Sequence, residues 1–136
     1  MVIVDTTVWV DYLRDVKTPS TDWLELDWLE LEMDRQRLEL TDLILCEVLQ
    51  GVRDARQFVL VRDQLLNFEI FSTSSADLAI QAAQNYRTLR AQGYTVRRTI
   101  DCLIATFCLV NDHALLHSDG DFDLFERGLG LRVVKT

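Results

Sequence analysis

The sequence is poor in proline, glycine and cysteine, and each scarcity excludes a class of structure. One proline and five glycines in 136 residues leave no linker-like or low-complexity stretch. A chain of this length suits one domain, taken here as residues 1–136. Cys46, Cys102 and Cys108 form an odd set without a Cys-x-x-Cys spacing, each within an apolar run. They are expected to be small buried hydrophobes rather than a disulfide or zinc framework. No long apolar run is present either: the longest, Cys102 to Val110 with Thr106 inside it, is too short to cross a bilayer. Met1-Val2-Ile3-Val4-Asp5 lacks the basic segment and long apolar stretch of a secretory signal, so no membrane contact and a cytoplasmic location are expected.

Positive charge is also scarce. Twenty-two acids against 14 bases give a net charge of −8, the wrong sign for gripping a phosphate backbone. Six of the acids, however, fall between Asp22 and Asp34 with no base among them, leaving 16 against 14 elsewhere. Lys17 and Lys135 are the only lysines, so 12 of the 14 bases are arginine, whose forked guanidinium suits phosphate or carboxylate. Net charge therefore does not exclude RNA.

Hydrophobic periodicity predicts strands alternating with helices. Val2 to Val4 reads as a buried strand feeding a helix from Val8 to Leu13, with Asp5 at the strand's carboxyl end. Thr18 to Thr21 marks entry to a helix with a broad apolar face, and Thr41 or Asp42 caps another that ends at Gly51. Asp54 to Leu66 is expected to be helical and Phe68 to Phe71 a strand. Ser74 caps a long helix with Ala79, Ala82, Ala83, Tyr86 and Leu89 on one face. Thr99 caps a helix from Ile100 to Val110, apolar nearly all round and therefore central. Ala114 to His117 and Leu131 to Val134 read as strands, with a short helix around Leu124 to Arg127 between them. This alternation predicts an α/β fold with a mainly parallel sheet covered on both faces.

The acids are placed unevenly. Asp5 and Asp119 follow apolar strands, where an open parallel sheet gathers its ligands. Glu47 and Asp101 interrupt apolar helical runs, where an ionised carboxylate needs a cation, hydrogen bonds or water. Singly, each has a plainer use as a cap, a turn residue or a solvated side chain. Jointly, in a compact chain, they describe an acidic pocket that a divalent cation would make tolerable, and all-oxygen ligands suit Mg²⁺ (or Mn²⁺). Asp121 is a further ligand or a turn acid, and Asp123 a helix cap. An EF-hand starting at Asp119 needs a glutamate where Gly130 stands. His113 and His117 are separated by Ala114-Leu115-Leu116, which is not a zinc-binding helix. Gly128-Leu129-Gly130 reads as a turn. Arg97 and Arg98, just ahead of Asp101, and Arg87 and Arg90 on the preceding helix form either a solvated basic face or a rim that holds RNA backbone.

Taken in order, Val2-Ile3-Val4-Asp5-Thr6-Thr7-Val8-Trp9-Val10-Asp11-Tyr12-Leu13-Arg14, Cys46-Glu47-Val48-Leu49-Gln50-Gly51, Asp101-Cys102-Leu103-Ile104-Ala105 and Leu115-Leu116-His117-Ser118-Asp119-Gly120-Asp121-Phe122-Asp123 resemble the PIN-domain family, and within it the VapC-type toxins of VapBC toxin-antitoxin modules. The resemblance implies a three-layer α/β/α sandwich and a Mg²⁺- or Mn²⁺-dependent endoribonuclease. It implies that Asp5, Glu47, Asp101 and Asp119 form the acidic cluster, with Asp121 an additional acid and Thr7 in a supporting position. Asp5, Asp101 and Asp119 would bind metal directly, while Glu47 binds a second ion or orients the attacking water. It further implies a homodimer held inactive by a VapB-type antitoxin, for which Trp23, Leu24, Trp28, Leu31 and Met33 offer an apolar surface if they are not core. Gly120 stands where many family members have arginine, so a substrate contact from that position is in doubt. The alternatives are a housekeeping PIN nuclease without an antitoxin and a PIN-like binding module without catalysis. A haloacid-dehalogenase-type phosphatase needs a second aspartate where Thr7 stands.

Overall fold

The computed structural model describes the backbone of residues 1–31 and 38–136, and the side chains of 1–25 and 38–136. Strand β1 (Val2–Val4) leads into α1 (Thr6–Leu13), α2 (Pro19–Leu31), β2 (Leu38–Thr41), α3 (Asp42–Gln50), α4 (Ala55–Leu65) and β3 (Ile70–Phe71). Helices α5 (Ala76–Ala91) and α6 (Thr99–Asn111) follow, then β4 (Ala114–Leu116), a 3-10 turn (Gly120–Phe122) and α7 (Asp123–Leu129). The strands form one sheet in the order β3-β2-β1-β4, every pair parallel. The expected parallel α/β architecture is thus present.

The register places the site. Val4 lies beside Leu116, and the Asp5 amide donates to the Leu116 carbonyl at 2.9 Å, so the chain leaves β1 and β4 at the same edge. Thr41, at the same end of β2, caps α3 by accepting the Ile44 amide at 3.2 Å. Three strand ends therefore open on one crevice. Behind it, α6 presents Cys102, Ile104, Ala105 and Cys108 to the core, as expected of a helix apolar nearly all round. Trp9, Ile3, Ile44, Leu115 and Leu116 fill the space between helices and sheet.

Strand β2 was not anticipated, because Glu39 interrupts Leu38 and Leu40 while the fully covered sheet leaves no solvent face for it. Residues 131–134 make only a parallel bridge, Val133 to Leu115, and not a strand. The cap of α5 is Ser75, whose Oγ accepts the Leu78 amide at 3.1 Å, and not Ser74. Its buried face is Leu78, Ala82 and Leu89, while Ala79, Ala83 and Tyr86 are exposed, since the helix packs on α6 by a narrower stripe. Helix α6 has Arg98 at its N-cap with no side-chain cap, and Thr99 is its first residue. Asp123 likewise begins α7 rather than capping it. Cys102 and Cys108 are buried, but Cys46 is exposed on the outer side of α3.

Gly128 lies inside α7 rather than in a turn, and a Cβ there would come within 2.5 Å of Leu89 Cδ2. Its lack of a side chain lets α7 approach α5. Gly130, at φ +73°, ends the helix in the left-handed region. Of the apolar residues considered for a partner surface, Leu24 is fully buried and Trp23 packs on the core. Trp28, Leu31 and Met33, with the acids Asp27 to Asp34, lie outside the described side chains.

Candidate functional site

Asp5 ends β1, is 3% exposed, and caps α1. Its Oδ2 accepts the Thr7 amide at 3.1 Å and the Thr7 hydroxyl at 2.8 Å. The same hydroxyl accepts the Ser118 amide at 3.2 Å, tying the end of β1 to the loop after β4. Burial pushes the Asp5 carboxyl up to about 6; the hydrogen bonds from Thr7 and Thr6 pull against it, and the nearby Glu47 charge adds a smaller rise.

Asp101 is on the first turn of α6, 3% exposed. Burial raises it to about 6 as well, opposed by the Arg98 guanidinium and reinforced by the charges of Asp5, Asp119 and Glu47. Asp119 caps the 3-10 turn, its Oδ1 accepting the Asp121 amide at 2.9 Å. One carboxylate oxygen from each of Asp101, Asp119 and Asp121 lies within 4.8 Å of the other two. Glu47, on α3, accepts the Thr6 hydroxyl on Oε1 at 2.9 Å and the Arg98 guanidinium on Oε2. A cleft of about 350 Å³ joins Asp5, Thr7, Glu47, Arg98 and Asp101.

Of the four acids read from the sequence, Asp5, Glu47 and Asp101 line this cleft with Thr7, while Asp119 meets them through Asp101 and converges with Asp121 rather than with Asp5 or Glu47. The donor set is made of hard oxygens, and Asp101 Oδ2 is buried without a hydrogen bond. A buried carboxylate with one oxygen free of hydrogen bonds, beside two further carboxylates, fits a small divalent cation. Thr6, Asp11 and Ser118 also line the cleft and were not singled out from the sequence. Their signal was their position after the ends of β1 and β4, facing the crevice that these strands open.

The arginines separate. Arg97 Nη1 is 3.9 Å from Asp121 Oδ1, and Arg98 enters the pocket. Arg90 stacks its guanidinium 5.5 Å over the Tyr86 ring and lines another groove with Arg87, so it is not on the rim of the acidic pocket. The histidines do not pair with each other. His117 Nδ1 accepts the Asp119 amide at 3.2 Å, whereas His113 lies 3.9 Å from Glu39 near the opposite end of the sheet.

The sequence profile of the PIN domain matches residues 2–127. A VapC ribonuclease of Mycobacterium bovis and ribonuclease VapC11 of Mycobacterium tuberculosis are each 31% identical to this chain over 133 residues, spanning 98% of it and 97% of their own length. Among solved structures, VapBC2 from Rickettsia felis bound to a promoter DNA fragment superposes with a TM-score of 0.75 at 19% identity, over 98% of both chains. FitAcB from Neisseria gonorrhoeae does so with a TM-score of 0.73 at 19% identity, over 99% of this chain and 97% of its own. These structures share the fold. Matched by the profile and by relatives along nearly its whole length, the chain belongs to the PIN-domain family, in the VapC group.

Proposed function

We propose that this protein is a Mg²⁺- or Mn²⁺-dependent endoribonuclease and the toxin of a VapBC module. The observation that carries the reading is the convergence of one oxygen each from Asp101, Asp119 and Asp121, with an Asp101 oxygen buried without a hydrogen bond. Asp101, Asp119 and Asp121 would hold the ion, with Asp5 beside Asp101 as the further carboxylate that would reach it. The bound ion supplies two effects: it acidifies a coordinated water and takes up charge on the phosphoryl oxygens. Thr7 fixes Asp5 against the end of β4. Glu47, held by Thr6 on one oxygen and by Arg98 on the other, would orient the attacking water. Arg97, exposed at the rim, holds the RNA backbone through its forked donors.

The names of the relatives support hydrolysis of RNA, and the solved neighbours support a VapB-type antitoxin as partner. A homodimer in the cytoplasm completes the reading; among the described residues no helix is long and apolar enough to cross a membrane.

The test is cleavage of a structured RNA panel with Mg²⁺, Mn²⁺ or EDTA, using the wild type and Asp5→Asn. Cleavage requiring metal and lost in the variant is expected. Activity that survives both EDTA and the substitution overturns the reading. Growth arrest on expression, relieved by Asp101→Asn and by a co-expressed antitoxin, separates a toxin from a housekeeping nuclease.

A further inference from the structure

The pocket already holds a cation of its own. Arg98 stands at the N-cap of α6 with an extended backbone and no side-chain capping contact. Its guanidinium reaches inward, donates to Glu47 Oε2, and brings Nε to 4.0 Å from Asp101 Oδ2. The converging oxygens of Asp101, Asp119 and Asp121 do not include Glu47. The acids thus divide into Glu47, which Arg98 neutralises by a direct hydrogen bond, and the converging group, which Arg98 and Arg97 approach only to 4.0 Å at Asp101 and 3.9 Å at Asp121. Glu47 has its oxygens occupied by two donors, the Thr6 hydroxyl and Arg98, so its carboxylate has a fixed orientation.

We propose that Arg98 is a built-in counter-ion that occupies the Glu47 side of the pocket, limits the chain to one divalent ion, and positions Glu47. Two like charges compete for the same carboxylates: a guanidinium between Glu47 and Asp101 repels a second ion there and consumes the oxygens that would bind it. With its side chain 47% exposed, Arg98 is at the mouth of the cleft, where it can be removed without opening the core. Arg97, 76% exposed, is the arginine left for substrate. The inference rests on the metal-dependent reading above and specifies how the site is loaded.

The experiment is calorimetric titration of the metal-free protein with Mn²⁺, paired with thermal melts with and without Mn²⁺, for the wild type, Arg98→Met, Arg98→Gln and Arg98→Lys. The wild type and Arg98→Lys should bind one ion per chain. Arg98→Met and Arg98→Gln should bind a second, or hold the first at least ten-fold more tightly. Both should also melt lower than wild type without metal and gain more from Mn²⁺, whereas a merely structural arginine would shift both melts equally. Equal stoichiometry and affinity, within two-fold, in wild type and Arg98→Met overturns the role of Arg98 and leaves the metal reading intact. Two ions in the wild type do the same. Absence of Mn²⁺ binding in every protein overturns both.

Discussion

Thr7 and Asp5 are joined twice: the Thr7 amide and the Thr7 hydroxyl both donate to Asp5 Oδ2, at 3.1 and 2.8 Å. The hydroxyl bond lowers the cost of a charged carboxylate in a buried position, and its further acceptance of the Ser118 amide sets where β4's loop begins. Thr7→Val keeps the shape and the amide bond but removes the hydroxyl. It should cost about 1–2 kcal/mol of stability and reduce RNA cleavage at least ten-fold, while Thr7→Ser retains most of both. Chemical denaturation and initial cleavage rates for the three proteins check this. Equal activity in Thr7→Val and wild type would show that the hydroxyl does not position Asp5.

The same burial predicts that the acidic pocket costs stability without metal. Asp5 is raised to about 6 in the folded protein from an ordinary 3.8, so between those values the folded state binds more protons than the unfolded state. Its contribution to stability is therefore lost as pH rises through about 6. Asp5→Asn keeps an oxygen to cap α1 but cannot ionise. In metal-free buffer at pH 8 the variant should be more stable than wild type, by on the order of 2 kcal/mol, with the gap closing towards pH 4. A denaturation series across pH decides it, and a less stable variant at pH 8 would contradict it.

Asp5, Glu47, Asp101 and Asp119 were legible because each breaks a local rule: a charge at the end of an apolar strand, or inside an apolar helix. Such violations identify themselves in one dimension. The arrangement of Arg98 does not, since Arg97 and Arg98 are indistinguishable as neighbours in sequence. Only the extended backbone at residue 98 and the nearness of α3 decide which enters the pocket. Thr6 was missed for the same reason, as its partner Glu47 is 41 residues away. Strand β2 was hidden by Glu39, whose burial follows from the pairing Ile3 to Glu39 and not from any local pattern.

Glu39 provides an independent test of burial away from the site. Both its carboxylate oxygens are buried without hydrogen bonds, and His113 Nδ1, at 3.9 Å from Oε2, is equally unpartnered. Burial raises Glu39 to about 7, with the Glu69 charge adding to it and the amino terminus opposing. Burial also lowers His113, which weakens it as a counter-charge. The folded state holds its proton on Glu39 from the ordinary 4.5 up to about 7, so stability falls as pH rises through that window. Glu39→Gln should stabilise the protein at pH 8 by on the order of 2 kcal/mol, be nearly neutral at pH 4, and leave RNA cleavage unchanged. Loss of stability at pH 8 would mean that the ionised Glu39 carboxylate is stabilised where it lies, against the reading of it as an uncompensated buried charge.

Helix α7 packs on α5 through a glycine. A Cβ at Gly128 meets Leu89 Cδ2 at 2.5 Å, Gln92 Oε1 at 2.7 Å and Tyr94 Cε2 at 3.3 Å. Gln92 is exposed and can swing aside, at the loss of its bond to the Gly128 carbonyl at 3.3 Å. Leu89 is fully buried and cannot yield in this way. Alanine in a helix gains about 1 kcal/mol over glycine, while an overpacked contact costs about 1–3 kcal/mol, so Gly128→Ala should be destabilising despite its better helix propensity. If the Leu89 methyl is the cause, Leu89→Val, which lacks a δ carbon, should absorb part of the clash. The double mutant should then be at least about 0.5 kcal/mol more stable than the sum of the single effects predicts. Additive effects in that cycle would place the strain at Gln92 or Tyr94, and a stabilised Gly128→Ala would show that the two helices are free to separate.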